Sequence, residues 1–259
     1  MPGILYRTRF KNEIVAEFLL PARKLKKQRI IILCDGMPSV PRKQPLMSFL
    51  SRKGFWVFYP RYRGAWESGG EFLDISPHQD ISEIIDEMPK GIKESAFGNK
   101  FTLSPDEIII IGGSFGGTTA ILSSLDKRVS KIIANCPIVN WNILPEEQKK
   151  ETAARSYPAY ISNAFGNGYR LQTKNWNKLK SGKFFNPSNY VSEFEASKIL
   201  IFHAKDDPYI PWKDISRFAK RTGAKLILLN KGGHIRTEFI VEKYWAKIKK
   251  FIDAKIPSE

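Results

Sequence analysis

The chain has 259 residues, of which 42% are hydrophobic, and this length suits a single α/β domain over residues 1–259 without requiring a second. The formal net charge of +16 can attract nucleic acid, but the lysines are spread along the chain, so we interpret them as solvated faces and do not expect a nucleic-acid partner. No run of about 18 apolar residues predicts a membrane span, and the first residues lack the apolar core of a signal peptide, so a cytoplasmic location is expected.

The first half of the chain alternates short apolar runs with amphipathic stretches, a pattern typical of strands followed by helices. Pro89 lies inside the second amphipathic stretch, so that helix is expected to end or kink there. In chain order, the patterns predict an antiparallel hairpin over 4–10 and 13–20, a buried strand over 30–34, a helix over 43–52, a strand over 55–59, a helix over 79–93 and a buried strand of four isoleucines over 108–111.

The second half continues the same rhythm around one interruption. Residues 140–187 are rich in Asn, Lys and aromatic side chains, with a weak helical pattern at 145–164, and we interpret them as a small lid inserted over the sheet. The other patterns predict strands over 131–136, 199–203 and 225–229, a helix over 212–222 and a long final helix over 235–253. Strands that alternate with helices predict an α/β fold with a mostly parallel sheet of about eight strands, covered on both sides.

A glycine-rich turn follows the isoleucine strand. Gly112, Ser114 and Gly116 fit the pattern G-x-S-x-G, in which a serine lies on a sharp strand-to-helix turn with its hydroxyl above the sheet edge. Such a turn brings positions 112 and 116 close together, so side chains there would clash. Ser114 is therefore a candidate nucleophile, and the alternative is a serine that only caps the helix.

A serine hydroxyl is a weak nucleophile unless a base removes its proton, and a carboxylate best holds that base. In a parallel sheet the side chains that meet come from loops at the carboxyl ends of the strands. Asp206 and Asp207 follow the strand at 199–203, and His234 follows the strand at 225–229. The chain order is therefore serine, acid, histidine, with two aspartates as candidates for the acid.

Four motifs together resemble those of the α/β-hydrolase superfamily, in particular the compact esterases and the catalytic domain of prolyl-oligopeptidase-like serine peptidases. They are Gly112-x-Ser114-x-Gly116, the segment His203-Ala204-Lys205-Asp206-Asp207-Pro208-Tyr209-Ile210-Pro211, the loop Gly232-Gly233-His234, and Arg63-Gly64 with Ser68-Gly69-Gly70. The resemblance spans most of the chain and implies an α/β-hydrolase fold. It also implies a triad of Ser114, Asp207 and His234, with Asp206 as a residue that braces the loop.

The family's His-Gly after the third strand is Asp35-Gly36 in this chain. By position, the resemblance implies an oxyanion hole made by the backbone N–H groups of Met37 and Phe115. A carboxylate beside a developing oxyanion would be unfavourable, so we expect the side chain of Asp35 to point away. The alternative is that Asp35 is a surface turn residue with no role.

Several other side chains have structural interpretations that we favour. Cys34 and Cys136 each end an apolar run and are expected to be small buried hydrophobes without a disulfide, and no Cys/His cluster in the sequence predicts a metal ion or other cofactor. His203 is expected to be a hydrogen-bonded, partly buried histidine. Arg63 and Asp80 are expected to form an ion pair, and the alternative is that Arg63 contacts an acidic substrate.

The expected function is that of a serine hydrolase which forms an acyl-enzyme and acts on small carboxylic esters. Trp66, Tyr157, Tyr160 and Trp176 are candidates for the substrate pocket, although ordinary packing explains each of them equally well. An ester is preferred because the sequence shows no extra domain, such as a propeller, to select peptides. A small peptide or aminoacyl amide is the alternative substrate, a non-catalytic module that binds through its basic surface is a more remote one, and an acyl transferase shares the same motifs.

Overall fold

The computed structural model of this chain describes residues 3–23, 26–143 and 156–254, and only the backbone of residues 143, 156 and 157. The described residues form ten strands: β1 (Tyr6–Phe10), β2 (Ile14–Leu19), β3 (Arg29–Cys34), β4 (Trp56–Pro60), β5 (Ile92–Lys93), β6 (Lys100–Phe101), β7 (Glu107–Gly113), β8 (Val129–Asn135), β9 (Ile199–Ala204) and β10 (Lys225–Leu229). Eight of these strands pair into one sheet in the order β1-β2-β4-β3-β7-β8-β9-β10, while β5 and β6 form a separate hairpin.

The sheet is mostly parallel, as predicted. β1 and β2 form an antiparallel hairpin, and β2 runs antiparallel to β4. From β4 to β10 all neighbours are parallel, with Ile30 opposite Ile108 and Ile32 opposite Ile110 in the β3–β7 pair. The loops that follow β3, β7, β9 and β10 therefore leave the sheet at the same edge, where the carboxyl ends of parallel strands meet.

Helices cover both faces of the sheet. They are α1 (Gln44–Arg52), α2 (Pro77–Glu87), α3 (Phe115–Ser123), α4 (Ser156–Phe165), α5 (Thr173–Lys180), α6 (Trp212–Thr222), α7 (Thr237–Lys243) and α8 (Trp245–Asp253), with 3-10 turns at Met88–Lys90, Trp141–Ile143, Gly166–Gly168, Pro187–Asn189 and Ala196–Lys198. In the described parts of the chain, no helix is long and apolar enough to cross a membrane.

The isoleucines of β7 contribute to two separate cores because side chains alternate between the faces of a strand. Ile108 and Ile110 pack on one face with residues of α2, α3 and α6, whereas Ile109 and Ile111 pack on the other face with residues of α1, α7 and α8. All four are buried. Burial of each such side chain contributes about 2 kcal/mol, so β7 is strongly held at the centre of the sheet.

The predicted helix over 79–93 is shorter than expected and begins earlier. α2 begins at Pro77, where Ser76 and Gln79 form a capping box, and it ends at Glu87. Pro89 lies in the 3-10 turn that follows, because a proline ring clashes with the preceding helical turn. The last predicted residues, 92 and 93, form β5, which pairs with β6.

The predicted final helix over 235–253 is wrong as a single element. It consists of α7 and α8, separated at Tyr244, whose φ of −105° and ψ of 20° are not helical. The ring of Tyr244 packs on Phe202 of β9 with 5.4 Å between the ring centroids. We attribute the break to this contact, because helical spacing shows an apolar face but not where a side chain will dock.

Candidate active site

The turn between β7 and α3 holds Ser114 in a strained backbone conformation. Its φ of 54° and ψ of −120° lie in a region that favours glycine. The backbone N–H of Ser114 donates to the carbonyl of Asn135 at 2.8 Å. Ser114 occupies the N-cap position of α3, but its side chain makes no capping hydrogen bond, so the interpretation of this serine as a simple cap is wrong.

Gly112 and Gly116 are required by the close approach of backbone segments. A Cβ on Gly112 would overlap the carbonyl of Gly116. A Cβ on Gly116 would overlap the carbonyl of Cys34 and lie 2.5 Å from that of Asp35. These backbone atoms cannot move aside without separating α3 from β7, in the case of Gly112, or α3 from the end of β3, in the case of Gly116, so both positions need glycine. The same contacts place the end of β3 directly beside Ser114.

His234 and Asp207 are joined by a hydrogen bond. Nδ1 of His234 lies 2.9 Å from Oδ2 of Asp207, whose side chain is fully buried. Oδ1 of Asp207 accepts the backbone N–H groups of Tyr209 at 2.9 Å and Ile210 at 3.1 Å. Burial by itself would raise the pKa of Asp207, but His234 and these two N–H groups outweigh it and lower the pKa. Asp207 is therefore suited to orient the imidazole as an ionised carboxylate.

Ser114 and His234 line the same cavity. Among the described residues, the hydroxyl of Ser114 has no hydrogen-bond partner, so its contact with the imidazole is not formed in this conformation. Such contacts are often long in ligand-free structures and tighten when substrate binds. The fold thus brings the predicted serine, acid and histidine to one edge of the sheet, with the acid–histidine bond already made.

Asp206 connects the loop after β9 to the loop after β10. Its carboxylate accepts the backbone N–H of Gly233 at 2.8 Å and that of Gly232 at 3.2 Å. These two hydrogen bonds lower the pKa of Asp206. Because Asp206 bonds the backbone of the loop and Asp207 bonds the imidazole, the two neighbouring aspartates have different roles in the geometry.

The ring of Tyr209 was missed by sequence reasoning as part of the site. It packs edge-on against the imidazole of His234, with 5.3 Å between the ring centroids and an angle of 90° between the planes. Tyr209 is half exposed and lines the cavity. The sequence position of Tyr209, two residues after Asp207, could have indicated that it belongs to the site. The backbone N–H of Tyr209 donates to the carboxylate of Asp207, which keeps the two residues together.

The loop after β3 lies beside the nucleophile. A Cβ on Gly36 would lie 3.7 Å from the Cβ of Ser114, and Met37 and Phe115 line the same cavity as Ser114. Phe115 is the first residue of α3, so its N–H is one of the groups that a helix leaves without an internal partner. The two predicted oxyanion donors thus belong to segments that border the serine.

Asp35 is not the exposed turn residue that the sequence allowed. The side chain is 13% exposed and forms an ion pair of 3.3 Å with Lys43. It accepts hydrogen bonds from the hydroxyl of Ser39 at 2.8 Å and from that of Tyr59. Burial first, and then the charge of Asp35, raises the pKa of Tyr59, which keeps the phenol protonated as a donor. The carboxylate of Asp35 also accepts the backbone N–H of Gly36 at 3.0 Å. These four partners compensate the carboxylate, which fixes the loop beside the nucleophile.

One cavity of about 600 Å³ contains these groups. The loops after β3 and β10 contribute to its lining, as do the charged side chains of Lys43 and, from α7, Glu238. Apolar side chains also line it, among them Ile138, Trp141 and Trp176. A cavity of this size and mixed polarity suits a small organic molecule.

The predicted substrate aromatics divide into different environments. Trp176 is buried and lines the cavity. Trp66 does not line it: its indole N–H donates to the carbonyl of Ser39 at 3.1 Å, and its ring packs on Tyr169. Tyr160 is 51% exposed and also lies outside the lining, because α4 directs it toward Phe165. The side chain of Tyr157 lies outside the described residues.

A cluster of buried groups lies behind the acid. The fold brings ligand atoms of Cys136, His203 and Asp207, which are far apart in the sequence, within 4.8 Å of one another. Nε2 of His203 lies 3.0 Å from the carbonyl of Ile210, while Nδ1 is buried without a partner among the described residues. Burial first, and then Asp207, raises the pKa of Cys136, so the sulfur is a protonated thiol and a poor metal ligand.

Arg63 is held by carboxylates away from the cavity. It forms the predicted ion pair with Asp80 at 2.5 Å and is bonded at 2.5 Å to both Glu13 and Glu83. Its backbone N–H also donates to Asp80 at 2.9 Å. The prediction of an ion pair is confirmed, and the three carboxylates already compensate the charge of the guanidinium, which argues against a contact with an acidic substrate.

The described part of the predicted lid is docked on the loop that contains Trp66. The backbone N–H of Trp66 donates to the carbonyl of Gly168 at 2.8 Å, and that of Phe72 donates to the carbonyl of Arg170 at 2.9 Å. Trp141, before this contact in the chain, and Trp176, after it, both line the cavity. Residues 144–155, which include part of the predicted weak helix over 145–164, lie outside the described residues.

A sequence model of the prolyl oligopeptidase family matches residues 43–256 of this chain. The match spans the elbow, the acid loop and the histidine loop. No curated protein sequence is significantly similar to the chain.

Many solved structures share the fold. Est1E from Butyrivibrio proteoclasticus, solved with bound ferulic acid, has a TM-score of 0.67 at 17% identity, and the alignment covers 96% of this chain and 99% of that one. The esterase Pf2001 of Pyrococcus furiosus has a TM-score of 0.64 at 15% identity, with coverages of 96% and 89%. The acylaminoacyl peptidase of Pyrococcus horikoshii has a TM-score of 0.65 at 17% identity, and this chain covers only 43% of its length.

Proposed function

Since the chain belongs to the prolyl oligopeptidase family, and is thus a serine hydrolase of α/β-hydrolase fold, we propose that Ser114, His234 and Asp207 form its catalytic triad and that it hydrolyses small carboxylic esters. The single observation that carries the assignment is the bond of 2.9 Å between His234 and Asp207 at a cavity that Ser114 also lines. Asp207 orients the imidazole so that its other nitrogen can take the serine proton.

The reaction begins when the hydroxyl of Ser114 attacks the ester carbonyl and gives its proton to His234. The tetrahedral intermediate collapses as the protonated imidazole donates that proton to the departing alcohol. Water then attacks the acyl-enzyme with His234 again as the base, and the acid product leaves. The strained backbone of Ser114, with a φ of 54°, supports this role because it presents the hydroxyl clear of the sheet edge.

We assign the oxyanion hole to the backbone N–H groups of Phe115 and Met37. A Cβ built on Gly36 would lie 3.7 Å from the Cβ of Ser114. This proximity supports a donor from the loop after β3. Each donor of this kind contributes about 3 kcal/mol to stabilisation of the transition state. The bonds of Asp35 with Lys43, Ser39 and Tyr59 keep its carboxylate compensated during this step.

An ester is the favoured substrate for a chemical reason. An alcohol leaves more readily than an amine, whose departure depends on proton donation by the imidazole. Two solved structures that are aligned along most of their own length are esterases by name, with 99% and 89% of their chains covered. We also propose that residues 140–187 act as a lid within a single domain of residues 1–259, because Trp141 and Trp176 from this segment line the cavity.

The decisive test is active-site labelling. A fluorophosphonate probe should label the native protein at Ser114, and Ser114→Ala should abolish both labelling and hydrolysis of 4-nitrophenyl acetate. Thr118→Ala, four residues further along the chain, is the matched control, because its hydroxyl donates to the carbonyl of Ile138 and lies in the buried core. An unlabelled native protein would refute the triad.

A small peptide or aminoacyl amide is the second candidate substrate. The acylaminoacyl peptidase of Pyrococcus horikoshii supports it, since 99% of this chain aligns with part of that protein. A panel of 4-nitrophenyl esters of increasing acyl length, compared with aminoacyl 4-nitroanilides, separates the two. Our preference predicts a higher kcat/KM for the esters, and faster cleavage of the anilides would reverse it.

A further inference from the structure

Three basic side chains, besides His234, line the active-site cavity. Arg42 and Lys43 belong to the loop after β3, and Arg236 belongs to the loop after β10. The carboxylates of the same lining are those of Asp35 and Glu238. Whether each basic side chain can bind a substrate depends on whether a carboxylate of the protein already neutralises it.

Lys43 is matched by both carboxylates. Its Nζ lies 3.3 Å from Asp35 and 2.6 Å from Glu238, and its side chain is 17% exposed. Burial alone would lower the pKa of Lys43, but the two carboxylates outweigh it and raise the pKa. Lys43 thus joins the two loops and offers no free charge to a ligand.

Arg42 and Arg236 line the same cavity as this ion pair. Arg42 directly precedes Lys43, and Arg236 lies two residues before Glu238, so the Lys43–Glu238 contact of 2.6 Å joins the two segments that carry the arginines. Both are exposed. Within the described ranges neither forms an ion pair. Burial alone would raise the pKa of Glu238, but Lys43 and, to a smaller extent, the charge of Arg236 lower it.

The geometry points to a substrate that carries a carboxylate, bound by Arg42 and Arg236 while its scissile carbonyl lies at Ser114. This inference rests on the proposed function and specifies the class of ester. A guanidinium binds a carboxylate through two parallel hydrogen bonds. The three cationic side chains of the lining outnumber its two carboxylates, so the cavity has an excess of positive charge that attracts anions. The apolar lining residues Ile138, Trp141 and Trp176 suit an apolar or aromatic group elsewhere in the same molecule.

The test compares two 4-nitrophenyl esters that share the same acyl chain and leaving group and differ in whether the far carboxyl is ionised or methylated. Mono-4-nitrophenyl glutarate carries a free carboxylate, and its methyl ester does not, while the leaving group is identical. In the native protein the ratio of kcat/KM, acid over methyl ester, should be about ten or more, as expected for charge-assisted hydrogen bonds. The ratio should fall as salt is added, because these side chains are exposed.

The variant Arg42→Gln/Arg236→Gln should bring this ratio close to one. The matched control is Lys220→Gln/Arg221→Gln, which removes the same net charge from the last turn of α6, at the far edge of the sheet, and should leave the ratio unchanged. A native ratio near one, or an equal fall of the ratio in the control, would overturn the inference.

Fluorophosphonate labelling keeps the two proposals separate. Labelling at Ser114 with equal turnover of both esters, or with turnover of neither, would reject the carboxylate site and leave the triad in place. Absence of labelling would reject the triad, and the substrate inference with it.

Discussion

Asp206 and Gly233 are joined by a hydrogen bond of 2.8 Å, which ties the loop after β9 to the loop after β10. The neighbouring residues, Asp207 and His234, are joined by the bond of 2.9 Å on which the proposed triad depends. Two adjacent carboxylates thus hold one loop, the first through its backbone and the second through the imidazole. The first bond acts on catalysis only through the second, so Asp206 is a positioning residue.

Asp206→Ala should lower kcat by between about ten-fold and a hundred-fold with little change in KM, because small errors in the position of a base are costly. Asp206→Asn should recover part of the loss, since its amide oxygen can still accept the N–H of Gly233. Steady-state kinetics on one ester measures both constants. A kcat equal to that of the native protein in Asp206→Ala would show that the loop holds His234 without this bond.

Ser114→Gly should abolish hydrolysis and raise the free energy of unfolding by about 1 kcal/mol. The native φ of 54° is strained for serine but ordinary for glycine. Ser114→Ala is the matched control, which is also inactive but keeps a Cβ in the strained conformation and should gain no stability. Urea unfolding of the three proteins measures the difference, and equal stabilities of the glycine and alanine variants would contradict the strain.

The two cysteines should be unreactive in the folded protein. Cys34 and Cys136 are buried and free, and burial is the first cause that raises the pKa of each thiol, followed for Cys136 by the charge of Asp207. Reaction with a disulfide reagent needs an exposed thiolate. Ellman's reagent should therefore detect neither thiol in the native protein and both in urea. Rapid reaction of either cysteine before unfolding would contradict their burial.

His78 should make the fold less stable in acid. Burial lowers the pKa of His78 to about 4, below its ordinary value of 6.5. The unfolded chain therefore binds a proton that the folded protein excludes, so this contribution to stability is complete above 6.5 and is lost as the pH falls through about 4. Its upper limit is roughly 3 kcal/mol.

Urea midpoints at pH 7.5 and pH 4.5 measure this loss, and His78→Gln should make the difference between them smaller. The hydroxyl of Ser76, 2.7 Å from Nδ1 of His78, loses a partner in this variant, so the comparison is made on the pH dependence and not on the absolute stability. An unchanged difference between the two midpoints would show that other groups cause the acid sensitivity.

Local patterns predicted the sheet well because they depend on burial along single elements. The apolar runs marked the strands, and the helix over 212–222 and the strand over 225–229 have the predicted bounds. Patterns failed where a distant contact decides the backbone, as at Tyr244, which breaks the predicted final helix against Phe202. The pairing of β5 with β6 was missed for a similar reason, because strands of two residues carry no periodicity.

The candidate substrate pocket was less predictable than the triad residues. Composition could not separate Trp176, which lines the cavity, from Trp66 and Tyr160, which do not. An aromatic side chain packs wherever neighbouring elements leave space, and that space depends on how the segment after β8 docks on the loop around Trp66. The pairing of Lys43 with both Asp35 and Glu238 was equally invisible, because its members are far apart in the chain.

The amino-acid sequence by itself determined which residues carry the chemistry and in what order, because the glycines around Ser114 and the residues near Asp207 and His234 are constrained by their immediate neighbours. Only the tertiary structure decided which aspartate bonds the imidazole, which buried groups surround it and which arginines at the cavity have no ion pair within the described residues. Those outcomes depend on distances between loops of different strands, and such distances follow from the packing of the whole sheet.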